Sequence, residues 1–229
     1  MLEIRGLRKR YGQTEALRGI DLDLRSGAAL GLIGGSGSGK STLARCIARL
    51  ERPDSGEIQI GGTTAYTHAD VQLIFQEAAA SLNPRFTAEE IVAEPLVIQR
   101  RSGSAREWLQ TVGLPADAAA KPAWAFSGGE RQRLAIARAL IVTPRLLILD
   151  ESFSGLDLAL QAQLTGLLRE LRERLGLTLI LISHDLALAE RIADRIVVMH
   201  EGALVDRSHP AAVEIETASR FLSLRSALA

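Results

Sequence analysis

Residues 34–41 read Gly34-Gly35-Ser36-Gly37-Ser38-Gly39-Lys40-Ser41 and fit the pattern GxxxxGK[ST]. The residues just before, 28–33, are continuously apolar, as in a strand buried on both faces. After it Leu43, Cys46, Ile47 and Leu50 recur at helical spacing. Strand, glycine loop and helix in that order are what a phosphate cradle requires. The glycines let the backbone curl its amide N–H groups around phosphate oxygens, and the following helix N-terminus adds partial positive charge. Lys40 then reaches the outer phosphates and the Ser41 hydroxyl ligates magnesium. The stretch predicts a site for ATP or GTP, with Thr42 as its last member.

A second run, RLLILDES at 145–152, reads as a buried strand that delivers Asp150 and Glu151 at its carboxyl end. In an open parallel sheet that is the edge where ligands bind. Two adjacent carboxylates repel one another, and magnesium relieves this if Asp150 faces the metal, which leaves Glu151 to orient or deprotonate an attacking water.

Further outward, residues 2–9 are of mixed character, Ile20, Leu22 and Leu24 alternate with charges, and residues 57–60 follow a turn at 53–56, so the first sixty residues read as strands. Residues 71–75 form another short apolar strand. From 77 to 142 the chain turns Ala-rich and helical, with helices at 88–99 (interrupted by Pro95), 105–112 and 128–142. Apolar runs at 177–183 and 195–200 then alternate with helical patterns at 158–175 and 186–192, which predicts a parallel sheet.

Lys+Arg and Asp+Glu both number 27, so no long-range positive field exists to gather nucleic acid or anionic lipid, and any phosphate chemistry must be local. Arg131, Arg133 and Arg138 read as a solvated helix face without the interleaved aromatics of a nucleic-acid surface. Cys46 is the single cysteine, which excludes a disulfide framework and fits a reducing compartment; it reads as a small core residue. His68, His200 and His209 show no metal-ligand spacing with it. The N-terminus lacks the apolar region of a signal peptide, and no uncharged apolar window reaches the ~18 residues of a membrane span.

Residues 126–130, FSGGE, lead into RQRLAIARAL. Ser127 and Glu130 have capping-box spacing, and Gly128 and Gly129 allow a phosphate to approach the helix start. With this run in place the chain resembles the ATP-binding subunits of ATP-binding-cassette (ABC) transporters, whose signature LSGGQ begins just such a helix. Phe126 and Glu130 are mild departures from it, and Ser152 stands where the family usually has proline or alanine after the catalytic glutamate.

The resemblance runs from Met1 to about Arg207 and implies one α/β domain with the ABC ATPase fold. Its P-loop NTPase (RecA-like) core and N-terminal antiparallel β subdomain would occupy 1–76 and 143–210, the inserted α-helical subdomain 77–142, and a short tail 211–229. It implies that Tyr11 stacks on adenine, that Gln76 reaches magnesium and water and senses a membrane partner, and that residues 154–157 (SGLD), ending in Asp157, cross a dimer interface. It also places His184 near the terminal phosphate, and it implies ATP and Mg2+ as cofactors. Ser127, Gly128, Gly129 and Glu130 would act on the ATP of an opposing cassette, identical or not.

Downstream of Gln76, LIFQEAAASLNPR is similar to the segment FQDPxxSLNPR of oligopeptide, dipeptide and nickel importer ATPases, with Glu77 and Ala78 in place of Asp-Pro. That likeness implies two polytopic membrane subunits, a substrate-binding protein and a place on the cytoplasmic face of a bacterial inner membrane. Peptide and metal-chelate cargoes stay open. So does a second role, an accessory ATPase of a soluble multi-enzyme complex such as the carbon-phosphorus lyase. Those importer ATPases often carry a longer C-terminal extension than the stub near Ser208, His209 and Pro210.

Overall fold

The structure, a computed structural model, describes residues 1–75, 81–153 and 155–205. Gln76, Ser154 and the segment from 206 onward, with Ser208, His209 and Pro210, lie outside the described residues.

Two sheets divide the strands. The smaller is antiparallel, in the order β2 (Thr14–Leu24), β1 (Leu2–Tyr11), β4 (Ser55–Ile60). The mixed character of residues 2–9 has a cause: the pairing of β1 shifts register after Ile4, where Gly6 takes a φ of 56° and donates its N–H to Asp21. That slip puts Leu2, Ile4 and Leu7 all into the core despite their uneven spacing.

The larger sheet runs β5 (Val71–Ile74), β6 (Leu146–Asp150), β7 (Thr178–Ser183), β3 (Ala29–Ile33), β8 (Arg195–His200), β9 (Ala203–Val205). All pairs are parallel except β8 with β9. That antiparallel edge departs from the all-parallel expectation, because three residues after a two-residue turn can return only as a hairpin.

β3, β6 and β7 are buried at every position, and their side chains alternate between two cores. Leu147, Leu149, Leu179 and Leu181 face one core, made with the later helices, while Leu146, Ile148, Ile180 and Ile182 face the other, made with α1 (Lys40–Ile47) and the antiparallel sheet. Two covered faces explain why these strands read as unbroken apolar runs rather than alternations.

α2 (Ala88–Gln99), α3 (Ala105–Thr111) and α4 (Gly128–Leu140) pack on one another, and α5 (Leu158–Leu175) and α6 (Leu186–Ile192) follow β6 and β7. Pro95 does not interrupt α2, contrary to the sequence expectation. A mid-helix proline forfeits a hydrogen bond, and here a capping box between Thr87 and Glu90 and the burial of Ile91, Val92 and Leu96 hold the helix through it. The arginines of α4 are likewise not a solvated face: they are half-buried, with Arg133 donating to the Val112 carbonyl at 2.8 Å and Arg138 paired with Glu94 at 2.6 Å. Cys46 is buried, as expected of a core residue, and burial pushes its thiol up to about 11.

Candidate nucleotide site

The carboxyl ends of β3, β6, β7 and β8 converge on one side of the large sheet, and the chain places its polar residues there. β3 ends at Ile33 and leads into the glycine loop. A Cβ at Gly34 would stand 2.3 Å from the Met199 carbonyl oxygen, and Gly39, with φ of 106°, would bring one to 2.5 Å from the Ala16 carbonyl. No other residue fits either position.

Among the described residues, five of the six α-helices are capped by a side chain: Thr87, Ser104, Ser127, Asp157 and Asp185 each accept a first-turn N–H. Of these helices only α1, with Gly39 at its N-cap, no side-chain cap and no acidic residue in its first turn, leaves its leading amides to something else. A helix start stripped of internal acceptors in this way is built for an external anion.

Lys40 is buried and donates to the Gly34 and Gly35 carbonyls, both at 2.8 Å, and to Ser38 Oγ at 3.3 Å. Burial pulls its ammonium below the ordinary lysine range, against the opposing pull of Glu151 and Asp150. Ser41 Oγ donates to Asp150 Oδ1 at 3.1 Å, which joins the loop to the end of β6 across 109 residues of sequence. Asp150 is buried, and that burial pushes its carboxyl above the usual range despite the Ser41 hydrogen bond, with the neighbouring Glu151 charge adding to the rise.

The next residue, Glu151, holds φ at 50°, a left-handed conformation that costs a non-glycine residue. Its N–H is bonded to the Ile182 carbonyl at 3.0 Å, and its Oε2 lies 3.6 Å from Nδ1 of His184, the residue that follows β7. The two predicted catalytic side chains therefore meet.

A cleft of about 460 Å³ is lined by Ser36, Gly37, Ser38, Gly39, Lys40, Ser41, Thr42 and Glu151, and on its other wall by residues the sequence did not single out: Thr14, Glu15, Ala16, Arg18, Glu201 and Gly202. Arg18 donates its N–H to the Gly202 carbonyl at 2.8 Å, and its guanidinium stands 3.6 Å from Glu201. That wall depends on contact between β2 and the β8–β9 turn, which no local pattern announces. Tyr11, half-exposed, does not line the cleft and is linked to the cradle through Thr42. Burial raises its phenol above the ordinary range, while Lys9 and a hydrogen bond with Thr42 act against it.

The FSGGE run is elsewhere. Ser127 Oγ accepts the Glu130 N–H at 3.3 Å and Glu130 Oε2 accepts the Ser127 N–H at 2.8 Å, a complete capping box at the start of α4. Neither these residues nor Gly128 and Gly129 line the cleft. A Cβ at Gly128 would meet nothing within 4 Å. Asp157 caps α5 through the Leu160 N–H at 2.8 Å. A larger groove, about 860 Å³ between α5 and α6, lies at the opposite end of the sheet and touches none of the predicted residues.

An uncapped helix start, a buried lysine and a hydroxyl–carboxylate pair at one sheet end suit an anion and a cation together, and a family profile described as ABC transporter matches residues 17–154, which places the chain among nucleotide-binding ATPase cassettes. The chain belongs to that family and is one of its ATP-binding, ATP-hydrolysing subunits. Among its relatives is the oligopeptide transport ATP-binding protein OppF of Bacillus subtilis, 40% identical over 227 residues that cover 90% of this chain and 74% of that protein. A Brucella ovis protein, provisionally named for peptide import and ATP binding, is 42% identical over 225 residues, covering 90% and 71%. The fold is that of a solved dimeric cassette, MJ0796, in a post-hydrolysis state bound to ADP and Pi, with a TM-score of 0.77 at 28% identity over 90% of this chain and 97% of that one.

Proposed function

We propose that this chain powers a peptide importer by hydrolysing ATP at the cleft beside Lys40. The observation that carries the reading is the convergence of Lys40, the Ser41–Asp150 pair and the Glu151–His184 pair beside the start of α1, the one α-helix among the described residues without a side-chain cap. Lys40 exchanges its carbonyl partners for phosphate oxygens, and the free amides of α1 receive the same anion. Glu151 orients and deprotonates the attacking water, with His184 beside it at the terminal phosphate; catalysis is by positioning and electrostatics.

Ser41 and Asp150 fit a magnesium ion, since a hydroxyl and a buried carboxylate already meet there and a cation would relieve the cost of burying the charge. When bound, Mg2+ neutralises charge on the phosphates. Gln76 is assigned to the same shell by resemblance, and Tyr11 to the adenine face.

The start of α4 acts on the nucleotide of a second cassette in a head-to-tail dimer. Ser127 and Gly128 do not line the chain's own cleft, and a Cβ at Gly128 would meet nothing within 4 Å, which supports that reading. The partners are two polytopic membrane subunits, which hold the chain at the cytoplasmic face of the membrane, with a substrate-binding protein acting through them. No helix among the described residues is long and apolar enough to cross a membrane. A groove of about 440 Å³ beside the end of β5, with Phe75, Ser81, Pro95, Ile98 and Arg138 in its lining and Val97 exposed, supports a docking surface for the membrane subunits next to the described part of the stretch 76–95. The names of the relatives favour peptides over metal chelates as cargo.

The test is Glu151→Gln, which should bind MgATP as the wild type does, turn over roughly 100- to 10,000-fold more slowly, and accumulate as an ATP-bound dimer that copurifies with its membrane subunits. Wild-type hydrolysis in that variant would remove Glu151 from the mechanism.

A further inference from the structure

Glu151 is held in a left-handed conformation from both sides. On one side its N–H is tied to β7 through the Ile182 carbonyl. On the other stands Ser152, 2% exposed, whose Oγ donates to the Ile74 carbonyl at 2.9 Å and lies 3.5 Å from that of Phe75. The Ser152 carbonyl in turn accepts from Nε2 of Gln132, 3% exposed, at 3.2 Å. Gln132 belongs to the second turn of α4, the helix that begins at Ser127.

The regular pairing of β5 with β6 ends at Ile74 and Leu149. Ser152 thus adds a side-chain rung past the end of that ladder, and Gln132 extends it to a helix that belongs to neither strand. Proline or alanine, the residues the family usually carries here, supplies no hydroxyl for the rung, so this connection follows from the departure at Ser152.

We propose that the hydrogen-bonded strap Gln132–Ser152–Ile74 positions Glu151, so that the stance of α4 and of the β5 exit sets how well the carboxylate addresses water. Ser152 and Gln132 are positioning residues: neither lines the cleft, and both act through the turn that carries Glu151. A buried hydroxyl and a buried amide that lose their partners leave unsatisfied groups, so the strap has one arrangement of low energy rather than a continuum. A ligand that displaces α4 must carry the Glu151 turn with it or break the strap. This inference rests on the reading of Glu151 as the residue that orients water.

The test is steady-state ATPase kinetics of the full chain for the wild type, Glu151→Gln, Ser152→Ala, Gln132→Met and the Ser152→Ala/Gln132→Met double variant. Each strap variant should lower kcat about 10-fold while KM for ATP stays within about twofold, since the phosphate cradle is untouched. The double variant should be no slower than about twice the slower single one, because both substitutions break one connection. A Ser152→Ala kcat within twofold of wild type overturns the proposal, as does a KM that rises in step with the fall in kcat, or two losses that multiply. Should Ser152→Ala fail to fold, Gln132→Met alone decides by the same split. Equal rates in wild type and Glu151→Gln would instead overturn the reading of Glu151 itself, an outcome separate from failure of the strap.

Discussion

The two ends of the six-stranded sheet each carry a conspicuous aspartate, and the chain treats them in opposite ways. At the amino end Asp194 precedes β8. Its Oδ2 accepts the Ala29 N–H at 2.9 Å and a hydrogen bond from Arg172, whose Nε also donates to the Gly27 carbonyl at 2.9 Å. Partial burial alone would raise its carboxyl, but the Ala29 hydrogen bond and the Arg172 guanidinium outweigh it and hold the group below the usual carboxylate range. At the carboxyl end Asp150 is buried with one hydroxyl for a partner and sits beside another carboxylate, and its carboxyl lies above that range. Glu151 is strained, Lys40 is buried and α1 is uncapped at the same edge. The amino end pairs its carboxylate with a guanidinium and a backbone N–H, whereas the carboxyl end buries a carboxylate against a hydroxyl and beside a second carboxylate. On the proposed reading, stability and function occupy opposite ends of one sheet.

The largest effect that could break this comparison is expected from Asp150→Asn. Losing the carboxylate proposed for magnesium should lower turnover roughly 100-fold or more. Because the folded pKa of Asp150 lies above the unfolded one, its ionisation works against the fold as pH rises through the folded value, so at pH 7 the asparagine variant, which can still accept from Ser41, should melt at or above the wild-type temperature without nucleotide. A clear fall in melting temperature would mean that the carboxyl end is structural too.

Asp194→Asn should do the reverse. It weakens charge-assisted hydrogen bonds at a half-exposed site, so a loss of about 1–2 kcal/mol is expected after allowance for solvent screening, seen as a melting temperature lower by roughly 2–8 °C with kcat within about twofold. The folded pKa lies below the unfolded one, so this contribution is complete above the unfolded carboxylate value of about 3.9. It disappears as pH falls through the folded value. The gap between wild type and variant should therefore persist from neutral pH down to about 5 and close in more acidic solution. A gap that widens on acidification would contradict the assignment.

How far these ends could be read from sequence differs in the same way. The carboxyl end was legible because its residues are contiguous with strands that announce themselves: Gly34 to Ser41 follow one buried run, Asp150 and Glu151 end another, and His184 follows a third. α5 was legible to the residue, since Asp157 caps it and Gly176, in the left-handed conformation, stops it. What escaped were features made by pairing distant residues. Arg172 with Asp194, Arg18 with Glu201, and Gln132 with Ser152 and Ile74 join positions 20 to 183 residues apart, and nothing local marks any of them. β9 escaped because three half-buried residues carry no period, and the arginines of α4 were misread because a charged residue that spans a helix–helix seam looks in sequence like one that faces water.

The smallest expected effect sharpens the comparison at the amino end itself. Glu170 and Arg174 form an ion pair of 2.9 Å one turn apart on α5, flanking Arg172, and both side chains are more than half exposed. Opposite charges at that spacing on a solvated helix contribute about 0.3–0.5 kcal/mol at most, and neither side chain reaches a backbone group of the sheet in the way that Arg172 and Asp194 do. Glu170→Ala should therefore move the melting temperature by no more than about 1–2 °C, with the difference vanishing in 1 M salt, where the Debye length shrinks to about 3 Å. The Asp194→Asn loss should largely survive the same salt, since it includes the Ala29 N–H as well as a charge. If the two variants instead cost the same and respond to salt alike, the amino end is held by its general field of charges. The hydrogen-bonded clasp of Arg172, Asp194 and Ala29 would then not be what distinguishes it from the carboxyl end.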